Sequence, residues 1–220
     1  MTTLPYASHL HHPSHTHCLE LSDLSNLPVH AAPDLRLLCS GCRCQASGLI
    51  YSCERCNFAL HAPCAHMPPL VAHQGHKTYP LKLLATPTYA RGRFDCDGCG
   101  QRGRGFSYHC AECTYDLRIV CASKPLRIHD QSHCHVLHLT FNCPYEIRGF
   151  NGDICTATGG DHWMYRCSYR NFDVHLECAK ARPVQAVTPA PPQASSVAAA
   201  QPVYIPSGSN PQYQYQTPAV

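Results

Sequence analysis

Apolar residues in this chain come in short clusters, and none extends into the continuous pattern that one large core would need. Where the clusters are regular, they alternate with period two. Tyr51, Phe58 and Leu60 recur as Tyr108, Tyr115 and Leu117, and again as Tyr165, Phe172 and Val174, each set 57 residues after the last. Ala65, Ala122 and Ala179 close the sets. Alternation of this kind predicts short β-strands with one buried face. No stretch approaches the roughly 20 apolar residues that a membrane-spanning helix requires. The opening segment MTTLPYASHLHHPSHTH has no basic region followed by an apolar one. The expectation is therefore an intracellular protein of cytoplasm and/or nucleus, neither secreted nor membrane-spanning.

The cysteines keep the same register. Cys39, Cys42, Cys53, Cys56 and Cys64 recur 57 residues on as Cys96, Cys99, Cys110, Cys113 and Cys121, and two of them recur again as Cys167 and Cys178. This predicts three tandem repeats, at 11–73, 74–130 and 131–182, after a disordered N-terminus of 1–10. From Pro183 to Val220 there is no Cys, His or charged residue. Such a segment buries too little apolar surface to offset its ordering entropy, so 183–220 reads as a disordered C-terminal tail rich in Pro, Gln, Ala and Tyr.

Composition then supplies the chemistry. The 220 residues include 17 cysteines and 17 histidines, while the formal charge of +3 is too small by itself to argue nucleic-acid binding. In a reducing compartment, so many cysteines read as metal-bound. A C-x2-C turn places two thiolates on one cation, and structural zinc takes four N or S ligands. In the first repeat, two cysteine pairs and His61-x2-Cys64 leave two sites short of closure, with His15 before and His73 after them. Units of about 55 residues bury modest apolar area and often depend on metal. The fold class expected is small zinc-stabilised domains, with short β-strands and a short helix after His-x2-Cys.

The leading His15-x-His17-x-Leu19, the Tyr-x-Cys step and Phe58-x-Leu60-His61-x2-Cys64 resemble the C1 zinc finger, and more specifically the divergent C1 (DC1) domain of plants. The resemblance covers about residues 11 to 181. It implies a cross-braced pair of zinc sites in each repeat. In the first they would be Cys39, Cys42, His61 and Cys64, and His15, Cys53, Cys56 and His73, with His17 and His12 as competitors for the place of His15. In the second repeat His76, Cys110, Cys113 and His129 would be complete. The other site holds only Cys96, Cys99 and Cys121, because Arg118 stands where a histidine is expected. Arginine stays protonated and cannot ligate. Water, a nearby histidine or nothing is then the fourth partner. The third repeat offers Cys155, His175 and Cys178, with Thr158 and Arg170 at two cysteine places and His133, His135, Cys143, Asp161 and His162 as substitutes. Trp163 reads as core. Three or four zinc ions are expected in all.

These features predict a non-enzymatic zinc-binding module with protein partners. The resemblance implies plant origin and a part in stress, defence or hormone signalling. No His-Glu-x2-His pattern accompanies the open cluster, which argues against catalytic zinc. Each complete C-x2-C pair is followed by a second pair, which argues against dithiol redox chemistry. Family members that take diacylglycerol resemble one another in a Gln-Gly before the second cysteine pair. Leu49-Ile50 and Phe106-Ser107 stand there instead, so diacylglycerol is not expected. Arg91, Arg93, Arg102 and Arg104, interleaved with Phe94 and Phe106, offer an alternative: anionic lipid or single-stranded nucleic acid.

Overall fold

The computed structural model describes residues 6–26, 37–146 and 149–183; the tail from 184 onward lies outside them. In chain order the elements are β1 (His9–Leu10), β2 (Leu19–Asp23), β3 (Leu49–Cys53), β4 (Phe58–His61), α1 (Ala62–Ala65), β5 (Leu70–His73), β6 (His76–Leu84), β7 (Phe94–Asp95) and β8 (Arg102–Gly103). There follow β9 (Ser107–His109), β10 (Asp116–Arg118), α2 (Ile119–Ala122), β11 (Arg127–Asp130), β12 (Leu137–Thr140), β13 (Met164–Cys167), β14 (Phe172–His175) and β15 (Ala181–Pro183).

Three larger antiparallel sheets result, β1-β2-β3-β4, β5-β6-β9-β10 and β15-β11-β12-β13-β14, beside a two-stranded ladder of β7 and β8. Each larger sheet is built on the same cross-strand pair, Tyr51 against Leu60, Tyr108 against Leu117 and Tyr165 against Val174. All six are buried, as are Leu19, Leu81 and Leu137 on the neighbouring strands. Each tyrosine donates its hydroxyl proton at 2.8 Å to a carbonyl before the first strand of its unit: Ala7, Pro68 and Pro125. A buried phenol needs such a partner, so the tyrosine fixes the entry of the chain into each sheet.

Two boundaries differ from the sequence expectation. Residues 6–10 are structured, because His9–Leu10 pairs with β2 and Ala7 accepts from Tyr51. Strands β5 and β11 join the sheets of the second and third units, so Leu70–His73 and Arg127–Asp130 open the unit that follows them. The short helices α1 and α2 follow strands β4 and β10. The peptide after His175 instead makes only turn bonds, with the N–H groups of Cys178 and Ala179 donating to the His175 carbonyl.

The units join by one repeated contact. The Phe106 N–H donates to the Gly41 carbonyl at 2.7 Å, and the Trp163 N–H donates to the Gly98 carbonyl at 2.8 Å. Gly41 and Gly98 lie inside the C-x2-C turns of the first and second units, and a Cβ on either would stand 3.1 to 3.3 Å from the incoming ring. Trp163 also stacks on His73 at 5.1 Å and meets Phe141 edge-on at 4.8 Å, in one continuous core.

The second and third units each bury a carboxylate. Asp116 accepts from Tyr89 and His109, while Asp173 accepts from Tyr145 and is paired with Arg166 at 2.8 Å. Ala59 holds this place in the first unit. Removing one partner of a buried pair leaves the other charge uncompensated. Asp173→Ala is expected to destabilise the third unit by about 3 kcal/mol. Urea unfolding followed by the fluorescence of Trp163, the one tryptophan of the chain, measures this; an unchanged midpoint would contradict it.

Candidate metal centres

In the first unit, Cys39 and Cys42 lie on a tight turn. The Arg43 N–H donates back to the Cys39 carbonyl at 2.8 Å, and Arg43 takes a left-handed φ of 63° to allow it. Strand β4 ends by delivering His61, and α1 places Cys64 beside it. His61 Nδ1 stands 3.3 Å from Cys42 Sγ and 3.9 Å from Cys64 Sγ. Its Nε2 faces the Gln45 carbonyl at 3.1 Å. That bond requires the proton on Nε2 and leaves the Nδ1 lone pair for a cation, the usual arrangement around a ligating histidine. The His61 N–H points at Cys39 Sγ, 3.4 Å away.

The second cluster lies across the sheet. His15, His17, Cys53 and Cys56 place their donor atoms within 4.8 Å of one another, as do Cys39, Cys42, His61 and Cys64. Cys56 Sγ is 3.1 Å from His17 Nδ1, and His15 stacks on Phe58 at 4.4 Å. His15 Nε2 is buried with no hydrogen-bond partner. An orphaned buried nitrogen beside two thiols fits a cation, and a Cys2His2 or Cys3His donor set is that of structural zinc.

His17 therefore takes the fourth place expected for His73. His73 belongs to the next sheet, where burial against Trp163 holds its pKa down and its Nδ1 accepts from the Gly75 N–H. His12 stacks on Phe106 instead, and burial lowers its pKa too.

The second unit repeats the plan with three donors at each centre. His76, Cys110 and Cys113 come together, with Cys113 Sγ 3.5 Å from His76 Nε2 and His76 stacked on Tyr115. The expected fourth ligand, His129, is exposed on β11 opposite Arg182 and is not part of the His76–Cys110–Cys113 group. Thr78 fills the place of His17. Cys96, Cys99 and Cys121 form the other group, and Arg118 Nη1 stands 3.6 Å from Cys99 Sγ and 3.1 Å from Glu177.

As thiols, the sulfurs of such groups share protons. Hydrogen bonds from Cys42 and Cys64 hold Cys39 far below the ordinary thiol range, while the bond to Cys39 pushes Cys42 up to about 12. Bonds from Cys121 and Cys96 lower Cys99 to about 2, and Cys121 rises because it supplies a proton to Cys96 and Cys99. A cation that displaces those protons removes the mutual repulsion.

In the third unit, Cys155 Sγ is 3.3 Å and Cys178 Sγ 4.0 Å from His175 Nδ1. The missing donor is not at Thr158. The Thr156 N–H donates to the Gly152 carbonyl just as Arg43 does to Cys39 and Gly100 to Cys96, so Gly152 stands at the first cysteine place. Thr158 lies on the returning arm and bridges Asn151, the counterpart of Leu38 with Gln45. A second group joins His133, His135 and Cys167, with Arg170 at the fourth place. His133 stacks on Phe172 as His15 does on Phe58. The signal for it is His133-x-His135-x-Leu137, which repeats His15-x-His17-x-Leu19. Cys143 is half-buried and enters neither group, and His162 packs on Gly100. None of the 17 cysteines is paired in a disulfide.

His17→Ala is expected to remove one metal equivalent from the first unit, and His73→Ala to remove none. Native mass spectrometry of the zinc-loaded chain distinguishes them; the reverse pattern would restore His73 as a ligand.

The sequence profile of the C1 domain matches this chain twice, at residues 13–65 and 74–122. These are the stretches that carry both first-unit clusters and both second-unit clusters. No solved structure matches the chain. Among curated proteins, a probable nucleoredoxin 1 of Arabidopsis thaliana is 38% identical over 55 residues, a quarter of this chain. The aligned stretch spans only 9% of that protein's length. The chain thus carries two C1-like segments whose cysteines and histidines converge as zinc donors.

Proposed function

We propose that the chain is a non-enzymatic, zinc-stabilised protein-interaction module. The observation that carries this reading is the pair of four-donor clusters in the first unit. Their ligands interleave along the chain, so each centre closes a loop that contains part of the other. A structural zinc contributes on the order of 10 kcal/mol of folding free energy, enough to hold a unit this small. The donor groups are composed of Cys and His, and the buried Asp116 and Asp173 are committed to Tyr, His and Arg partners. Glu177, which reaches the open Cys96–Cys99–Cys121 group, is paired with Arg118 rather than free as the general base of hydrolytic zinc chemistry would be. Three or four zincs fit the clusters: two in the first unit, then His76–Cys110–Cys113 and Cys155–His175–Cys178. The DC1 resemblance supports a part for such a module in plant stress, defence or hormone signalling as the working proposal.

Zinc-loaded chain is expected to bind three or four ions and to retain protein partners that it loses on chelation under reducing conditions. Zinc counting by native mass spectrometry and pull-downs with and without chelator test this. A count of two or fewer, or partners held equally without zinc, would defeat it.

A second reading rests on a cavity of about 180 Å³ between the first C-x2-C turn and the second unit. Arg43, Arg102, Arg104 and Arg118 line it, with Phe94 and Phe106 as apolar wall. Asp95 engages Arg102 and Glu177 engages Arg118, but Arg43 and Arg104 have no acidic partner among the described residues. Such a site suits a phosphate-bearing ligand, on anionic lipid or single-stranded nucleic acid. Diacylglycerol is not favoured, since Ile50, Phe106 and Ser107 are buried where a lipid groove would open. Sedimentation with anionic vesicles, with and without diacylglycerol, is expected to show salt-sensitive binding that Arg43→Ala with Arg104→Ala abolishes. Binding that depends on diacylglycerol, or that ignores salt, would overturn it.

A further inference from the structure

We propose that Cys96, Cys99 and Cys121 form a three-thiolate site for a thiophilic cation satisfied by three sulfurs, rather than a further structural zinc centre. The inference goes beyond the zinc reading of the other clusters and begins where the donors stop fitting zinc.

The internal repeat supplies the comparison. His61 and Arg118 occupy one place in two copies of the same frame. Each ends its strand, each precedes a one-turn helix, and each donates its backbone N–H to the first cysteine sulfur, at 3.4 Å and 3.3 Å. In the first unit the side chain at that place supplies the fourth donor. In the second it supplies a guanidinium, whose Nη1 lies 3.6 Å from Cys99 Sγ and also donates to Glu177 at 3.1 Å. A guanidinium has no lone pair to give. It stands beside Cys99, the half-buried sulfur of a trio whose Cys96 and Cys121 are each only 1% exposed. The described residues add no histidine to the group.

Zinc has no electronic preference that makes three ligands sufficient, and its structural sites hold four; the three-donor groups that include His76 and His175 each present an exposed sulfur, Cys113 and Cys155, where water can complete the set. Softer cations select thiolate. A dication with a stereochemically active lone pair, of which Pb(II) is the convenient probe, directs that pair where a fourth ligand would be. Binding forms three Pb–S bonds and releases to solvent the thiol protons that the trio still carries, with no change of oxidation state. The product carries one net negative charge, and the Arg118 guanidinium stands beside it. Arg118 is thus a positioning and charge-balancing residue rather than a ligand.

The test uses the full chain loaded with zinc and repurified, then titrated with Pb(II) alone. Zinc is counted by native mass spectrometry before and after lead, and the sulfur-to-lead charge-transfer absorption is followed. The wild type is expected to take one Pb(II) with the absorption of three sulfurs while keeping all its zinc. Arg118→His, which restores the residue of the first unit, is expected to gain one zinc before lead is added and to need at least about ten-fold more Pb(II). Cys99→Ser is expected to keep the wild-type zinc count and lose the absorption. Three results would overturn the proposal: equal zinc counts in wild type and Arg118→His, lead entering only as zinc leaves, or absorption that persists in Cys99→Ser. A chain that holds no zinc before lead is added would instead defeat the zinc reading above, so the two failures are distinguishable.

Discussion

The structure depends on the convergence of thiols and imidazoles onto points too small to hold them uncompensated. Eight donor side chains of the first unit lie in two groups, each within a few ångströms. Cys39 and Cys53 are among the most buried groups of the unit. Buried sulfurs that close together repel as anions and strain as shared protons. One divalent cation resolves both problems and ties four points of the chain together. The apolar core of the first unit is correspondingly small: Tyr51 with Leu60, Leu19 and Ile50, a few alanines, and the Phe58 ring beneath a histidine. The metal clusters take the place that a larger domain gives to its hydrophobic interior.

The same turns that gather the thiols also join the units. A C-x2-C turn directs its middle backbone outward, and the Gly41 and Gly98 carbonyls accept from the ring-bearing residue of the following unit. A Cβ at either glycine would crowd that ring at 3.1 to 3.3 Å. Metal binding and inter-unit packing are therefore coupled through one short loop: ordering the cysteines also orders the docking site. In the third unit the corresponding residue after Gly152 and Asp153 is Ile154, which is 41% exposed. A branched side chain there replaces the flat glycine surface, so the described array ends at a turn unsuited to receive another unit in the same way.

Much of this was legible because the period of 57 runs through both ligands and core. Tyr51, Tyr108 and Tyr165 mark equivalent strands, and the paired cysteines flank them. What escaped did so for physical reasons. His73 and His17 both lie at plausible distances along the chain, and spacing cannot tell which side of a turn a strand will join. The ladder decides, by giving β5 to the next sheet. His129 fails in the same way on β11. Gly152 was missed because the third unit is one residue shorter there, so an offset of 57 from Cys96 lands on Asp153. The backbone bond from Thr156 restores the register that the side chains had lost. The His133–His135–Cys167 group was visible only through its echo of His15-x-His17-x-Leu19.

The losses along the chain are not simple decay, because charge replaces charge. Where a histidine or cysteine ligand disappears, an arginine stands in two of the places, Arg118 and Arg170. Elsewhere in the same frames, buried carboxylates appear at Asp116 and Asp173, where the first unit has Ala59. A cation fixed on a side chain can neutralise a thiolate or a carboxylate without being exchangeable. The Arg166–Asp173–Tyr145 network satisfies its own hydrogen bonds and crosses strands that the lost ligands would have braced. Such a network costs more desolvation than a hydrophobic pair of the same size, but it is indifferent to metal supply. The first unit thus gathers two four-donor Cys–His clusters, while the third packs Trp163 and pairs Arg166 within its sheet. The second lies between them, with one Cys–His group open to zinc and one trio of thiols already facing a fixed positive charge.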